Sequence, residues 1–592
     1  MAASHQFNIF SHMISASTTS FLPNDKIPLQ PLGKVASKTL HSLCYAASVT
    51  WGASDEMVVR RSANYKPCTW DYDFLTSLDN GYQGHAYLRL AEILKQKVAN
   101  QLQRAEKKSA IALLELVNEI QRLGIGHLFE ENIKSALNSI QKVKLDDNLQ
   151  ATSLRFRILR QHGFKVSQDV FKIYMDPHGN FANNLSQDIE GVLSLYEASF
   201  LSVGGEVILD EARLFAHRLL KDCNGCFNIN KLELVKHALE VPLHLNYIRL
   251  EARWYIDAYS RREDVDLDLL ELARLDYNIV QAIHQKDIID LLRWWKNLGL
   301  LEQLPFARDK LVESFFAPMG VASEPQYSNC RKGLTKVLSF VNTIDDVYDV
   351  YATLDEAKLF TDAVARWDMN SLDNLPNYMK ICLIGLNNTT YEIVYHILKD
   401  KGLNVMPFLK KMWLDQCKAY LVEAEWFHNG YKPTLKEYLN NGWISIGGAN
   451  LLLNIYVLMS PTITLEALHY LVSCPELVRS LSMLLRLIDD MGTYQNETLR
   501  GDVPKSVQCY MNDKGVTEEV ASKYIRHLIE EEWKKLNSEL WTESPLPEVF
   551  IKEVVNLARV TKSTYQYGDP CCQDQMTDKI LSLLVDSIPM SF

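Results

Sequence analysis

The stretch Val337-Leu338-Ser339-Phe340-Val341-Asn342-Thr343-Ile344-Asp345-Asp346-Val347-Tyr348-Asp349-Val350-Tyr351 sets three aspartates in a mostly apolar run. Its apolar pattern predicts a helix, with Asp345 and Asp349 one turn apart on the same side. Like charges at that spacing destabilise a helix by about 0.2–0.5 kcal/mol. A carboxylate cluster among Leu, Phe, Val and Ile therefore asks for a compensating cation. Donors that are all oxygen suit a hard ion such as Mg²⁺. The competing reading is a solvated acidic face, and this stretch alone leaves both open.

A second acidic stretch lies further on, Leu487-Ile488-Asp489-Asp490-Met491-Gly492-Thr493-Tyr494-Gln495-Asn496-Glu497. Asp489, Thr493 and Glu497 recur at i, i+4 and i+8, so two carboxylates and a hydroxyl share one helix face over ~12 Å. Thr among the donors suits Mg²⁺, which keeps several waters and shares phosphate oxygens with a substrate. Arg486 sits one turn before Asp489, placed to meet an anion. Incidental acids on a helix surface are the alternative. Two such helices, each in apolar sequence, weigh against it.

Outward from these motifs the helical period dominates. Leu88, Leu90, Ile93 and Leu94 open an apolar stripe, and Leu113, Leu114, Leu116, Val117 and Ile120 continue the pattern. Only 25 Gly and 19 Pro occur in 592 residues, well below the usual share of roughly 12%. Few breakers and no runs of strand-like alternation predict an all-α fold. The length asks for two domains. A charged run, Arg261 to Asp268, places their boundary near residue 263, and Asp222–Asn230 is a second candidate break. A hydrophobic fraction of 47% supplies real cores. No uninterrupted apolar run reaches the ~18 residues of a spanning helix, so no membrane span is expected. A net charge of −11 argues against nucleic acid as a partner, and it poses a puzzle if the substrate is an anion.

Eleven Cys fit reduced, mostly buried thiols. Cys223-Asn224-Gly225-Cys226 reads as a structural loop rather than a metal or redox site, and the Cys571-Cys572 pair as incidental. The first 54 residues are Ser-rich, with Asp25 as their only acidic residue. That composition resembles an organelle transit peptide, and the lack of Arg before Arg60 favours a plastid.

Taken together, these motifs resemble those of plant class I terpene synthases, in the monoterpene branch. Asp345-Asp346-x-x-Asp349 is similar to the family's aspartate-rich motif. Asp489-Asp490-x-x-Thr493-x-x-x-Glu497 is similar to its second metal motif, followed by Arg500-Gly501-Asp502-Val503-Pro504-Lys505-Ser506. Arg60-Arg61, eight residues, then Trp70 resembles the tandem-arginine motif that marks the end of the transit peptide. Leu159–Phe164, Leu195–Phe200 and Arg366-Trp367-Asp368 add further matches.

The resemblance implies two helical domains: an α-barrel-like domain over 60–263 and a metal-binding helical bundle over 264–592, after a transit peptide over 1–59. It implies a lyase that ionises a prenyl diphosphate, geranyl diphosphate first, with farnesyl diphosphate as the alternative and a non-catalytic scaffold as a third. Asp345, Asp346, Asp349, Asp489, Thr493 and Glu497 would hold Mg²⁺ or Mn²⁺. Arg308, Arg486 and Lys505 would meet the diphosphate, with Asp345 and Asp489 sharing it through metal. No side chain is assigned as general acid or base. Arg60, Arg61 and Trp70 would cap the mouth and exclude water. Tyr565 and Asp569 resemble a polar cluster at the rear of the cavity. We expect a monomer in the plastid.

Some positions depart from the family pattern. Lys310 replaces the second Arg of an Arg-x-Arg motif, keeping charge but losing a bidentate fork. Ala317 replaces a cavity-floor Trp, whose face stabilises a carbocation by ~1–2 kcal/mol. This predicts an acyclic product of the ocimene, myrcene or linalool type, unless Phe315 or Trp295 refills the space. Leu338 and Leu485 stand where isoprene synthases carry bulky Phe, which argues against a five-carbon substrate. Gly447-Gly448 reads either as a helix break exposing carbonyls or as a close helix contact.

Overall fold

Asp266 starts the longest helix by accepting a hydrogen bond from the Leu269 N–H at 3.0 Å. The computed structural model describes residues 60–592 except 144, 146–147, 223–228, 571–573 and 591–592. The leader and both cysteine pairs therefore lie outside the described residues. Among the described residues the chain is helical, with one isolated bridge, Met175 to Phe181, in place of any strand. The six cysteines Cys68, Cys330, Cys382, Cys417, Cys474 and Cys509 are unpaired thiols.

Eight helices from His85 to Ser260 precede the long one. In the first, His85–Lys108, the buried face is Leu94, Val98 and Leu102. Leu88 and Ile93 are instead about half exposed, at 47% and 52%. Four-residue spacing carries the stripe along Leu90, Leu94, Val98 and Leu102, and Ile93 falls off that line. The next helix, Ala110–Arg122, buries Leu113, Leu114, Val117 and Ile120 as expected. The charged run after Ser260 is a turn. Arg262 pairs with Asp264 at 2.7 Å and reaches Glu119 at 3.0 Å.

The later helices are α1 (Leu267–Leu298), α2 (Leu311–Val321), α3 (Ser328–Asp346), α4 (Met406–His428), α5 (Leu435–Ser445), α6 (Gly448–Met459), α7 (Glu476–Arg500), α8 (Ser506–Lys514) and α9 (Glu548–Thr564). Their contacts close a ring. α2 packs on α3, the end of α3 on α4, α4 on α5, α5 on α7, α7 on α9, and α9 on α2. α6 packs against α3, α4, α7 and α9. The first acidic motif runs off the C-terminal end of α3, and the second lies in the C-terminal half of α7.

Leu435–Met459 is the one described stretch apolar and long enough to cross a membrane, yet 78% of its most apolar 18-residue window is buried. It is also two helices. Gly447 adopts φ 78°, which breaks the run between α5 and α6. The two glycines serve different ends. A Cβ on Gly447 would meet Gln416 Nε2 at 2.6 Å, and one on Gly448 would come within 3.0 Å of the Ser482 Cα. Gly447 makes the break and Gly448 the close contact, and the Gly447 carbonyl is engaged by the Leu451 N–H at 2.9 Å.

Candidate active site

The α3 register stops at Asp346. Over Val347–Tyr351 the helix widens into a π turn, in which the Ala352 N–H donates to the Val347 carbonyl at 2.9 Å. The sequence reading expected an uninterrupted α-helix through Asp349. Asp346 turns inward and is fully buried. One of its oxygens accepts the Arg308 N–H at 2.8 Å, and the other lies 2.7 Å from Arg308 Nη2. That same nitrogen is 2.8 Å from Asp345, whose side chain stays 34% exposed. Asp349 is half-buried. Burial and then the Asp345 charge push its carboxyl well above the usual carboxylate range, while Lys505 opposes them.

On α7, Asp489, Asp490 and Thr493 are buried. Arg486 donates to Asp489 and lies 2.8 Å from Asp490 through Nε. Asp490 also accepts the Tyr438 hydroxyl at 2.8 Å and the Ser506 N–H at 3.1 Å. The Thr493 hydroxyl donates to the Asp489 carbonyl at 3.0 Å. Glu497 Oε2 is buried with no hydrogen-bond partner in the structure. Burial raises the Glu497 carboxyl above its ordinary value against the pull of Lys505 and Arg486.

The segment 60–70 ties the two motifs together. Arg60 grips Glu356 with two bonds of 2.8 Å and the Tyr351 carbonyl at 2.9 Å. Arg61 donates to the carbonyls of Asp349 and Arg500, both at 2.9 Å, and pairs with Asp502. One side chain thus touches the end of each acidic helix. Tyr65 lies between them, 4.8 Å from the Arg308 guanidinium and 5.9 Å from that of Arg500. Trp70 donates to Glu313 at 3.0 Å. Below this strap, a recess is lined by Arg61, Tyr348, Asp349, Glu423, Asp502 and Lys505.

Two family models match the chain. The terpene synthase N-terminal domain covers residues 69–239, and the terpene synthase metal-binding domain covers 296–535. The chain belongs to the terpene synthase family. It is 48% identical to the (−)-alpha-terpineol synthase of Vitis vinifera over 90% of this chain and 92% of that protein. It is 45% identical to the chloroplastic myrcene synthase of Quercus ilex over 90% and 91%. A crystal structure of isoprene synthase from grey poplar, holding three Mg²⁺ ions and dimethylallyl-S-thiolodiphosphate, superposes with a TM-score of 0.82. It shares 43% identity and is covered in full by 88% of this chain. The protein is accordingly a class I terpene synthase with the two-domain helical fold of its relatives, and it uses a divalent metal.

The remaining expected residues of the synthase take defined places. Ala317 is half-buried on α2, beside Phe316, whose carbonyl accepts the Tyr247 hydroxyl at 3.0 Å. Phe315 and Trp295 are core side chains, 0% and 3% exposed, and Trp295 donates to Asp309 at 3.1 Å. Leu485 is buried and Leu338 partly so. Tyr565 ends α9 and packs on Gly492 of α7, while Asp569 accepts from Asn496 at 3.1 Å. Lys310 lies on the Glu313 side, where its charge lowers the carboxyl that burial raises. Among the matched segments, Arg160 pairs with Glu206 and Glu197 accepts the Leu243 N–H at 2.8 Å. Trp367 ends its helix in the left-handed region at φ 51°. These three segments hold the scaffold and stand away from the site. A surface pocket of about 370 Å³ between α4 and α5, near Cys474, is likewise separate from the carboxylates.

Tyr65 and Tyr438 join the site although no motif of the sequence names them, and Arg500 and Asp502, quoted only as part of the segment after the second motif, take a part in it. Arg500 and Asp502 follow Glu497 closely, and Tyr65 lies between Arg61 and Trp70, so position was the available signal. Tyr438 had none.

Proposed function

We propose that the synthase converts geranyl diphosphate to a monoterpene and diphosphate, with Mg²⁺ as its metal, in the plastid. The observation that carries this reading is the convergence of both acidic motifs under the Arg61 strap, with Glu497 Oε2 buried and unmet by any protein donor. Such an oxygen, among donors that are carboxylate and hydroxyl groups, fits a divalent cation. Asp345, Asp349, Asp489, Thr493 and Glu497 would hold the metal, and Asp346 would hold Arg308 behind it. When bound, the metal would stabilise the negative charge that builds on departing diphosphate. Arg308, Arg486 and Lys505 supply positive charge around the same anion. The strap excludes water that would otherwise capture the allylic cation. This arrangement answers the charge puzzle of an acidic chain with an anionic substrate.

We keep 60–263 and 264–592 as the division into an N-terminal supporting domain and a catalytic domain. The ten-carbon substrate is supported by the tandem arginine and by relatives named for terpineol and myrcene. The deciding experiment gives protein beginning at Arg60 either geranyl or farnesyl diphosphate with Mg²⁺ and analyses the volatiles. Ten-carbon products are expected. A preference for farnesyl diphosphate overturns the substrate assignment, and turnover of neither supports a scaffold.

We assign the product to the acyclic class, on the strength of Ala317. An indole there would present an aromatic face worth ~1–2 kcal/mol to a cation. Ala317→Trp should raise the cyclic fraction of the product by several-fold, as read by gas chromatography. An unchanged product ratio removes Ala317 from the argument. Lys310→Arg should lower the KM for the diphosphate by restoring a two-pronged donor. An unchanged KM means Lys310 stays with Glu313 and does not meet the substrate.

A further inference from the structure

Glu423 projects into the recess from α4 and belongs to neither acidic motif. It is 4% exposed. Its two oxygens have different partners. Oε1 accepts the Asn441 side-chain N–H at 3.1 Å, and Asn441 also donates to the Ala419 carbonyl at 3.0 Å. Oε2 faces the Lys505 ammonium at 3.5 Å. Lys505 is itself buried, at 5% exposure, just before α8. Its ammonium feels Glu497 and Asp349 as well as Glu423.

A lysine is a flexible four-carbon stem with a point charge at its tip. Buried between Glu497 on α7 and Asp349 beyond α3, it has two carboxylates toward which it can swing. Once either takes up metal, its attraction for the ammonium weakens. Glu423 is a third attraction that metal does not remove, because Asn441 orients it and α4 carries it.

We propose that Glu423 is a positioning residue for the synthase: held by Asn441, it fixes the Lys505 ammonium between the two acidic motifs so that it faces the diphosphate. This rests on the assignment of Lys505 to the diphosphate made above. Glu423 itself does not touch the anion. Its charge acts through Lys505, as the outer partner of a metal ligand acts through that ligand.

The test uses the protein beginning at Arg60 and titrates inorganic pyrophosphate in the presence of Mg²⁺ by calorimetry. Glu423→Gln keeps the shape and the Asn441 contact but removes the charge. It should weaken pyrophosphate binding by about 10-fold or more, the usual scale for such outer partners, and raise the KM for the prenyl diphosphate more than it lowers kcat. Asn441→Ala, which frees Glu423 without touching Lys505, should move both in the same direction by less. In a Lys505→Met background, Glu423→Gln should cause no further loss. Failure of the unsubstituted protein to bind pyrophosphate overturns the reading of the site itself. Normal binding there with unchanged binding in Glu423→Gln overturns this proposal alone. A further loss in the Lys505→Met background also overturns it, since Glu423 would then act by another route. Melting temperature, followed for every variant, separates positioning from folding. A loss of binding that tracks a loss of melting temperature makes Glu423 a structural residue and overturns the proposal.

Discussion

Asp490→Ala should cost the synthase about 2–4 kcal/mol of stability, since each buried donor left without an acceptor costs about 1–3 kcal/mol. The carboxylate is fully buried and meets three groups, the Arg486 guanidinium, the Tyr438 hydroxyl and the Ser506 N–H. Those groups come from α7, α5 and the start of α8, so one side chain holds three elements. Removing it leaves Arg486 held by Asp489 alone and strands two buried donors, the Tyr438 hydroxyl and the Ser506 N–H. Whole domains are stable by only about 5–15 kcal/mol, so the variant should show a large fall in urea midpoint or accumulate unfolded. Asp490→Asn retains an acceptor for Tyr438 and should lose less. A midpoint for Asp490→Ala within ~0.5 kcal/mol of the parent, the range of inert surface changes, contradicts the structural role.

Asp345→Ala should behave in the opposite way. Its carboxylate is a third exposed, shares Arg308 with Asp346 and repels Asp349. Its loss leaves Arg308 held by Asp346 and relieves Asp349, so melting should be unchanged or slightly raised. Turnover should fall by about 10²–10³-fold, the scale for deleting one preorganised contributor to a developing charge. The readouts are kcat/KM across a Mg²⁺ titration and the melting temperature of the same sample. A fall in melting as large as that of Asp490→Ala, with turnover kept, would reverse the roles given to these aspartates. Adjacent acids thus divide the work. In each Asp-Asp pair both carboxylates meet the same arginine, and the second is fully buried while the first is the more exposed of the two.

That division was only half legible in the sequence. Charge spacing on an apolar helix located both motifs, because i, i+4 periodicity is a local property. Which aspartate of a pair turns inward depends on partners far along the chain, such as Arg308 for Asp346 and Tyr438 for Asp490. The π turn at Val347–Tyr351 was invisible for a similar reason, since the residues there would suit an ordinary helix. The helical class followed from few breakers and a dominant 3.6 period. The face of the first helix did not, because Leu88 and Ile93 are apolar yet have nothing to pack against. Glu423 could not be found at all. In Leu421-Val422-Glu423-Ala424-Glu425 it looks like its neighbour Glu425, and only the approach of Lys505 and Asn441 sets it apart.

Half of the hydrogen bonds from Arg60 and Arg61, three of six, go to main chain. Arg60 and Arg61 take the carbonyl oxygens of Tyr351, Asp349 and Arg500, acceptors that helix ends leave without an internal partner. A latch on carbonyls is indifferent to the side chains that line the chamber beneath it. Wall residues can therefore change without loosening this part of the closure.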